Sequence, residues 1–446
     1  MRLLFCCELY HPSCGGVQEV MRQIAERMVL AGHDVTVATG HMDERNFEKL
    51  NGVRICEFKV GGSLVRGIRG EVDRYRDFVV RFAADAVLIK AAQQWTFDAL
   101  WPVLDRIPGR KVFIPCGFSG LHDPAYAAYF RRLPEVLRKF DRLVFYAEKY
   151  RDIDFARAHG LTKLSVVPNG ASEVEFDRPH NPRIRTQLGA SDAEFVFLTI
   201  GNPIAMKGHR EVAEAFARLE THGRPAILIL NASWPRPRPL PDRERRVQPD
   251  ATMSLRIWLA ARAIAGLIYR SGQALRRHGW AGPRAHWQAR MQPRRSWREL
   301  RRWINRANAQ PGKRVVCVNL SRADLIDAFK TADLFVLASN IEYSPLVLFE
   351  AAAAGTPFLS VPVGNAEEIA RWTGGGMICP APIDAYGYTR VAPSVLAREM
   401  HRCMDDPDSL ARLGATGKAR WRESFTWKAI APRYAAILAG AADGPP

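Results

Sequence analysis

Seven residues separate Glu342 from Glu350 in the second half of this 446-residue chain. Hydrophobic periodicity predicts a strand over 333–338 and a helix over roughly 345–354, so Glu342 falls in the connecting loop and Glu350 on the helix. In open α/β sheets, ligands bind beyond the carboxyl ends of the strands, where such loops lie. Between the two acids, Ser344, Leu346 and Val347 can offer backbone N–H groups at a helix N-terminus, whereas Pro345 has none. An exposed loop acid followed by a helix acid is also common by chance. Glu350, however, is flanked by Val347, Leu348, Phe349 and the run Ala351 to Ala354, and a carboxylate in so apolar a helix needs a partner.

Three further loops carry residues suited to anions. Gly201 to Gly208 follows a predicted strand at 194–200 and precedes a helix near 210–220; it contains Asn202 and Lys207. A lysine placed there can reach a diphosphate, although taken alone it reads equally as a solvated side chain. Near the start, Gly15 and Gly16 separate a strand at 2–9 from a helix ending at about Leu30. Adjacent glycines let backbone N–H groups approach a phosphate at the positive end of a helix, and they also suit an ordinary tight turn. The pattern is neither Gly-x-Gly-x-x-Gly nor a Walker loop. Val167 to Gly170 reads as a turn.

The elements that must position these loops alternate between strand and helix. Further strands are expected at 34–39, 86–90, 111–115, 142–146, 164–168, 226–231, 314–320 and 357–361, with a helix at 322–330. This alternation predicts parallel βαβ units and an α/β fold. The length suits two domains, divided here as 1–178 and 190–410 about a proline-bearing linker at 171–190, with a terminal helical segment at 411–446. At 47% hydrophobic and 25% charged residues, the composition excludes a disordered or collagen-like chain. Eight scattered cysteines without a Cys-x-x-Cys pair argue for reduced thiols, not for a disulfide framework or a zinc site. The residues show no signal-peptide pattern and no uninterrupted apolar run of membrane-spanning length, so a cytoplasmic protein is expected.

The net charge of +18 is concentrated. Residues 236–314 hold 20 Arg and Lys against Asp242, Glu244, Asp250 and Glu299. Residues 234–313, opened by Trp234-Pro-Arg-Pro-Arg-Pro and closed by Pro311 and Gly312, read as an insertion between two consecutive strands. Within 255–275, Ile257, Ala261, Ile264, Ile268 and Leu275 share one helical face and arginines lie towards the other. Trp258 and Tyr269 flank the apolar face, and Trp280, Trp287, Trp297 and Trp303 follow among arginines. This combination suits a helix lying in an anionic lipid headgroup layer. A basic helix packed on the body, or a partly disordered segment, is the plainer reading, and nucleic acid is a less fitting partner for a segment that interrupts an α/β domain.

Taken together, the loops resemble the retaining GT-B glycosyltransferases of family 4. The resemblance spans most of the chain and is strongest over Glu342 to Ile369, EYSPLVLFEAAAAGTPFLSVPVGNAEEI, with its Glu-x7-Glu spacing, Gly-x-Pro and Val-Gly-x-x-Glu. The tail from Phe425 to Tyr434 is similar to the family's terminal helix, which packs back on the first domain. The resemblance implies two Rossmann-like doubly wound domains facing a cleft, with the basic helical insertion in the second. It implies transfer of a sugar from a nucleotide-sugar donor to a glycan or lipid-linked acceptor, with retention and without a metal or other cofactor. Glu350 would take the donor ribose and Glu342 the donor sugar. Lys207 would take the diphosphate, with amides around Gly15, Gly16, Ser344 and Leu346. Two positions depart from the pattern. Asn202 stands where an arginine is expected ahead of the lysine, and Cys116 stands where a histidine is expected, with His122 nearby as a substitute. A non-catalytic relative that binds membranes or nucleic acid is the alternative these departures leave.

Overall fold

The computed structural model describes residues 1–234, 297–384 and 387–441. The first domain is built on an eight-stranded sheet. Its spatial order is Leu164–Val166, Arg142–Phe145, Arg110–Ile114, Ala86–Lys90, Arg2–Cys6, Asp34–Gly40, Val53–Phe58 and Lys49–Leu50. All neighbours are parallel except the final pair. Along Arg2–Cys6 and just beyond it, Leu3, Phe5 and Cys7 enter the core on one face while Leu4 and Cys6 enter the core on the other. That is the period-two signature of a strand covered on both sides, as a parallel sheet requires. The chain winds outward in one direction from Arg2–Cys6 through Asp34–Gly40 and in the other from Ala86–Lys90, so the winding reverses between those two strands.

The second domain repeats the logic with six parallel strands. Their order is Lys313–Val318, Ala226–Asn231, Phe195–Ile200, Leu334–Leu337, Phe358–Ser360 and Gly376–Ile378. Its winding reverses between Phe195–Ile200 and Leu334–Leu337. The expected α/β architecture of two doubly wound sheets is therefore present. Among the elements of the first domain that escaped the sequence reading are the strand Val53–Phe58 and the helices Val72–Arg81, Ala127–Leu137 and Arg151–Ala158. The expected 171–190 linker is itself packed, since Phe176, Ile184 and Leu188 join the core of the second domain.

The boundaries of the insertion are corrected. Ala226–Asn231 and Lys313–Val318 pair in parallel along their whole length, from Ala226 with Lys313 to Asn231 with Val318. Parallel neighbours cannot be joined by a hairpin and need a crossover, usually a helix. Residues 297–308 form that helix. Leu300 and Ala307 are buried in the core, and Trp297, Trp303 and Ile304 pack against it. The Trp297 ring meets Trp234 at 5.4 Å, and Arg218 caps the Trp303 ring at 5.2 Å. These two tryptophans, expected at a lipid interface, are thus spent on the fold, and 234–313 is not wholly an insertion. The face at 255–275, with Trp258, Tyr269, Trp280 and Trp287, lies outside the described residues.

The terminal segment 411–446 also divides. Pro407–Ser424 stays with the second domain, burying Leu410 and Trp421. The chain then crosses where Ala171 N donates to the Phe425 carbonyl at 3.0 Å. Among the described residues of this segment it is Trp427–Ala439 that packs on the first domain, where Trp427, Ile430, Tyr434 and Ile437 join Val20, Met21 and Ile24.

If 297–308 is a core crossover helix, Leu300→Ala should destabilise the second domain by about 2–5 kcal/mol, as buried leucine truncations do. Urea unfolding followed by tryptophan fluorescence measures this. A change below about 0.5 kcal/mol, typical of a surface site, would mean that the helix is an appendage.

Candidate functional site

The sequence-predicted loops converge at the two reversal points. Phe195–Ile200 runs into Gly201–Gly208, and Leu334–Leu337 runs into the loop of Glu342. The two loops meet, because Asn340 N donates to the Met206 carbonyl at 2.8 Å. Gly208 has a φ of 71°, and a Cβ there would stand 2.0 Å from the Ala338 carbonyl oxygen, so only glycine lets the lysine turn lie against the neighbouring strand end. Lys207 Nζ and Glu342 Oε1 form an ion pair at 2.5 Å. This pair joins two of the predicted residues, with both side chains still partly open to solvent. Asn202 is exposed on the same loop.

The Glu342 loop is held by the first domain. The Tyr150 hydroxyl donates to the Glu342 carbonyl at 2.7 Å. The Tyr343 hydroxyl accepts from Tyr146 N at 3.0 Å and is hydrogen-bonded to the buried Asp152 carboxylate. Asn169 Nδ2 donates to the Ser344 carbonyl at 3.2 Å. The Tyr343 ring lies 4.9 Å from Tyr150 and 5.3 Å from Tyr146. Gly364 supports the loop from behind, since at a φ of 59° its missing Cβ would stand 2.2 Å from the Tyr343 carbonyl oxygen. On the helix Ala366–Thr373 that follows, Glu368 accepts from Glu148 N and Lys149 N at 3.0 and 2.8 Å. The interdomain contact thus uses Gly364 of the Val-Gly-x-x-Glu pattern and Glu368, the residue after its exposed Glu367.

Glu350 has the partner its apolar helix demands. Arg322, at the start of the helix Arg322–Thr331, places Nη2 2.7 Å from Glu350 Oε1 and grips Glu175 as well, at 2.8 Å. Burial opposes the charge on Arg322, but Glu350 and Glu175 outweigh it and hold the guanidinium above its usual range. Sequence reasoning missed Arg322 because nothing local links it to an acid 28 residues away.

On the facing side, Gly16 opens the helix Gly16–Leu30, and a Cβ on it would meet Leu346 Cδ1 at 3.6 Å across the domain boundary. Gly15 has an extended φ of 169°, and neither glycine is in the left-handed conformation. They bare the backbone opposite the helix Leu346–Ala354. Beside them, Lys90 ends its strand fully buried, with Nζ 3.4 Å from the Val17 carbonyl and 5.2 Å from the Tyr146 ring. Burial lowers its pKa to about 8. Cys116 lies near Lys90, and burial pushes its thiol up to about 11, so it is an unreactive group at neutral pH. His122 is exposed on the turn beyond it. Ala91, Gln93, Cys116 and Phe118 all take positive φ, between 46° and 71°. Such strain in non-glycine residues costs about 1–3 kcal/mol each and clusters where function demands it. Here it gathers in two adjacent loops at the strand ends.

Comparison with known proteins accords with this geometry. Residues 300–420 match the family model described as glycosyl transferases group 1. Over 121 residues, or 27% of this chain, the sequence is 35% identical to a D-inositol 3-phosphate glycosyltransferase of Streptomyces bingchenggensis (strain BCW-1). That match covers 24% of the relative, so the similarity spans about a quarter of its length. A sucrose-phosphate synthase from Thermosynechococcus elongatus superposes with a TM-score of 0.65 at 16% identity, covering 98% of both chains. HepE of Anabaena, solved in complex with UDP, superposes with a TM-score of 0.67 at 16% identity, covering 99% of this chain and 100% of that one. The fold is GT-B, and within the second domain the match to glycosyl transferases group 1 begins at residue 300.

The Asp152 contact yields a pH prediction. Burial raises its carboxyl from 3.8 to about 6, against hydrogen bonds from Tyr343, Gly117 N and Ile153 N. An acid whose folded pKa stands above its unfolded value binds its proton more tightly when folded. Its contribution to stability is therefore present at low pH and is lost as pH rises from 3.8 to about 6. Asp152→Asn removes that dependence. Relative to the wild type, the variant should gain on the order of 2 kcal/mol across the window, measured by urea unfolding between pH 4 and 7. A flat difference would show that Asp152 titrates as an ordinary carboxyl.

Proposed function

We propose that the protein is a retaining glycosyltransferase that binds a nucleotide-sugar donor between its domains and transfers the sugar to a glycan or lipid-linked acceptor. The observation that carries this reading is the Lys207–Glu342 ion pair, set at the reversal point of the second sheet opposite the bare backbone at Gly15 and Gly16. Glu350 takes the ribose hydroxyls. A carboxylate offers about four acceptor positions, and Arg322 uses only part of that capacity. Lys207 exchanges Glu342 for the donor diphosphate, and Glu342 turns to the donor sugar. The exchange is cheap, because a partly exposed ion pair is worth only about 0–1 kcal/mol. As the sugar leaves, negative charge grows on the diphosphate. Lys207 and the N–H groups at Gly16 and Leu346 stabilise it without reorganising, which is where most catalytic advantage arises. Asn202 contributes a neutral donor where a second cation would otherwise help. The buried Lys90 supplies positive potential from below. Cys116 and His122 belong to the acceptor side, and no metal takes part. The UDP complex of the Anabaena structure and the sugar-transferring relative support this choice of ligand class.

The two substitutions that test the reading separate binding from turnover. Glu350→Ala should weaken nucleotide-sugar affinity roughly tenfold or more, since hydrogen bonds to a charged group contribute about 1.5–3 kcal/mol. Lys207→Ala should lower kcat on the order of 10²-fold with a smaller effect on affinity. Calorimetry with UDP-glucose and other nucleotide sugars, followed by donor hydrolysis and transfer assays, reads both. Unaltered donor affinity in folded Glu350→Ala would remove it from the site. Donor binding without any turnover would favour a non-catalytic relative.

The basic segment 236–314 is proposed to hold the protein on the cytoplasmic face of an anionic membrane. Its support is the sequence pattern of 20 cationic residues against four acids. Among the described residues, no helix is long and apolar enough to cross a membrane. Each arginine near an anionic leaflet contributes about 1 kcal/mol, and salt screens that attraction. The full chain should sediment with phosphatidylserine vesicles at low salt, release at high salt and ignore neutral vesicles. Tighter retention by single-stranded RNA than by vesicles would reassign the segment.

A further inference from the structure

We propose that His222, His401 and Asp405 form a binding site for one divalent cation of the zinc class on the rim of the second domain opposite the cleft. His401 and Asp405 are one turn apart on the helix Pro393–Asp405, with Nε2 and Oδ2 3.1 Å from each other. His222 comes from the turn after the helix His209–Arg218, and its ring lies 4.7 Å from that of His401 at an interplanar angle of 82°. One ligand atom from each of the three residues falls within 4.8 Å of the other two. Zinc bonds of about 2.0–2.2 Å to nitrogen and oxygen require a modest closing of that triangle, which the exposed His222 and Asp405 side chains can supply.

Two features make this more than a chance meeting of surface groups. The turn and the helix are fastened together independently of the three side chains, because Arg224 Nη1 donates to the Met404 carbonyl at 3.1 Å. The ligands are therefore presented by elements that are already docked, which lowers the ordering cost of binding. His401 Nδ1 is shut from solvent and finds no hydrogen-bond partner among the described residues. Its Nε2, on the ring edge near Asp405, is the nitrogen turned to the proposed ion. Glu220 Oε2, 3.7 Å from His222 Nε2, stands ready as a further oxygen donor.

The donor set selects the ion. Two imidazoles with one or two carboxylates suit zinc and its neighbours, whereas calcium and magnesium prefer all-oxygen shells. Position separates this site from sugar transfer. His222 precedes the strand Ala226–Asn231, so it lies at the amino-terminal rim of a parallel sheet whose carboxyl-terminal rim carries Lys207 and Glu342. A bound ion would cross-link the turn to the helix and has no part in leaving-group chemistry.

The test uses the full chain and zinc chloride alone. Calorimetry near neutral pH should show one saturable equivalent, and thermal unfolding should shift upward with zinc concentration. His401→Ala and His222→Gly should each weaken binding at least tenfold. Glycine is chosen because His222 has a φ of 45°, which alanine tolerates poorly. His180→Ala, altering a histidine bonded to Thr331 at 3.0 Å, should leave the affinity unchanged. Cys14 and Cys317 are exposed thiols that could compete. Cobalt substitution distinguishes them, because a histidine and carboxylate site gives no thiolate charge-transfer absorption. Zinc binding that survives in the His222→Gly/His401→Ala double variant, a thiolate band that tracks occupancy, or no binding at millimolar zinc would each overturn the proposal. None of these readouts depends on glycosyltransferase activity.

Discussion

The half-buried Tyr343 makes, through its hydroxyl, the contact on which the candidate site depends. It sits beside Glu342 in the chain, yet its hydroxyl is bound by Tyr146 N and Asp152 of the other domain. Carbonyls on either side of it are tied to Tyr150 and Asn169. Three successive residues of one loop are thereby pinned to the opposite half of the molecule. Burying a polar hydroxyl and a carboxylate is costly unless they satisfy one another. The domains must therefore come together in one register for this cluster to form. That register brings Leu346 opposite Gly16 and aligns the two strand-end crevices.

Charge is handled by local pairing. Lys207 neutralises Glu342, and Arg322 neutralises Glu350 and Glu175. Without partners these groups would be unpaired charges in a partly desolvated crevice. Ion pairing avoids that cost, and the Lys207–Glu342 pair, being partly exposed, is the weaker of the two. Lys90 differs from these, because it is fully buried against a backbone carbonyl and an aromatic face and burial depresses its pKa. It is a fixed source of positive potential beneath the glycine loop.

The basic segment is in part a piece of the fold. Its last part, 297–308, is required by topology, because parallel strands need a crossover and an uncovered sheet face needs a helix. Arginine there does not prevent burial, since Arg218 and Arg306 lay their guanidinium groups over the Trp303 ring. Aromatic residues among arginines can therefore mark a core helix with a cationic outer surface as readily as a lipid-facing one.

Alternating strand and helix periodicity, the glycines between them and the Glu342–Glu350 spacing were legible along the chain, because each is set by neighbours a few residues apart. They were enough to place the α/β class, most strand positions and the loops that meet at the cleft. The strand Val53–Phe58 was not legible, since it mixes Arg54 and Glu57 into its run and is recognised only by pairing with Asp34–Gly40. The partners Arg322 for Glu350, Asp152 for Tyr343 and Arg224 for the His401 helix join residues far apart in the chain. No local pattern encodes such pairs, because they exist only once both sheets have wound and docked. The sequence by itself determined which residues could do chemistry and on which kind of element each stands. The tertiary structure alone decided which of them meet, since a contact energy depends on distance in space and not on separation along the chain.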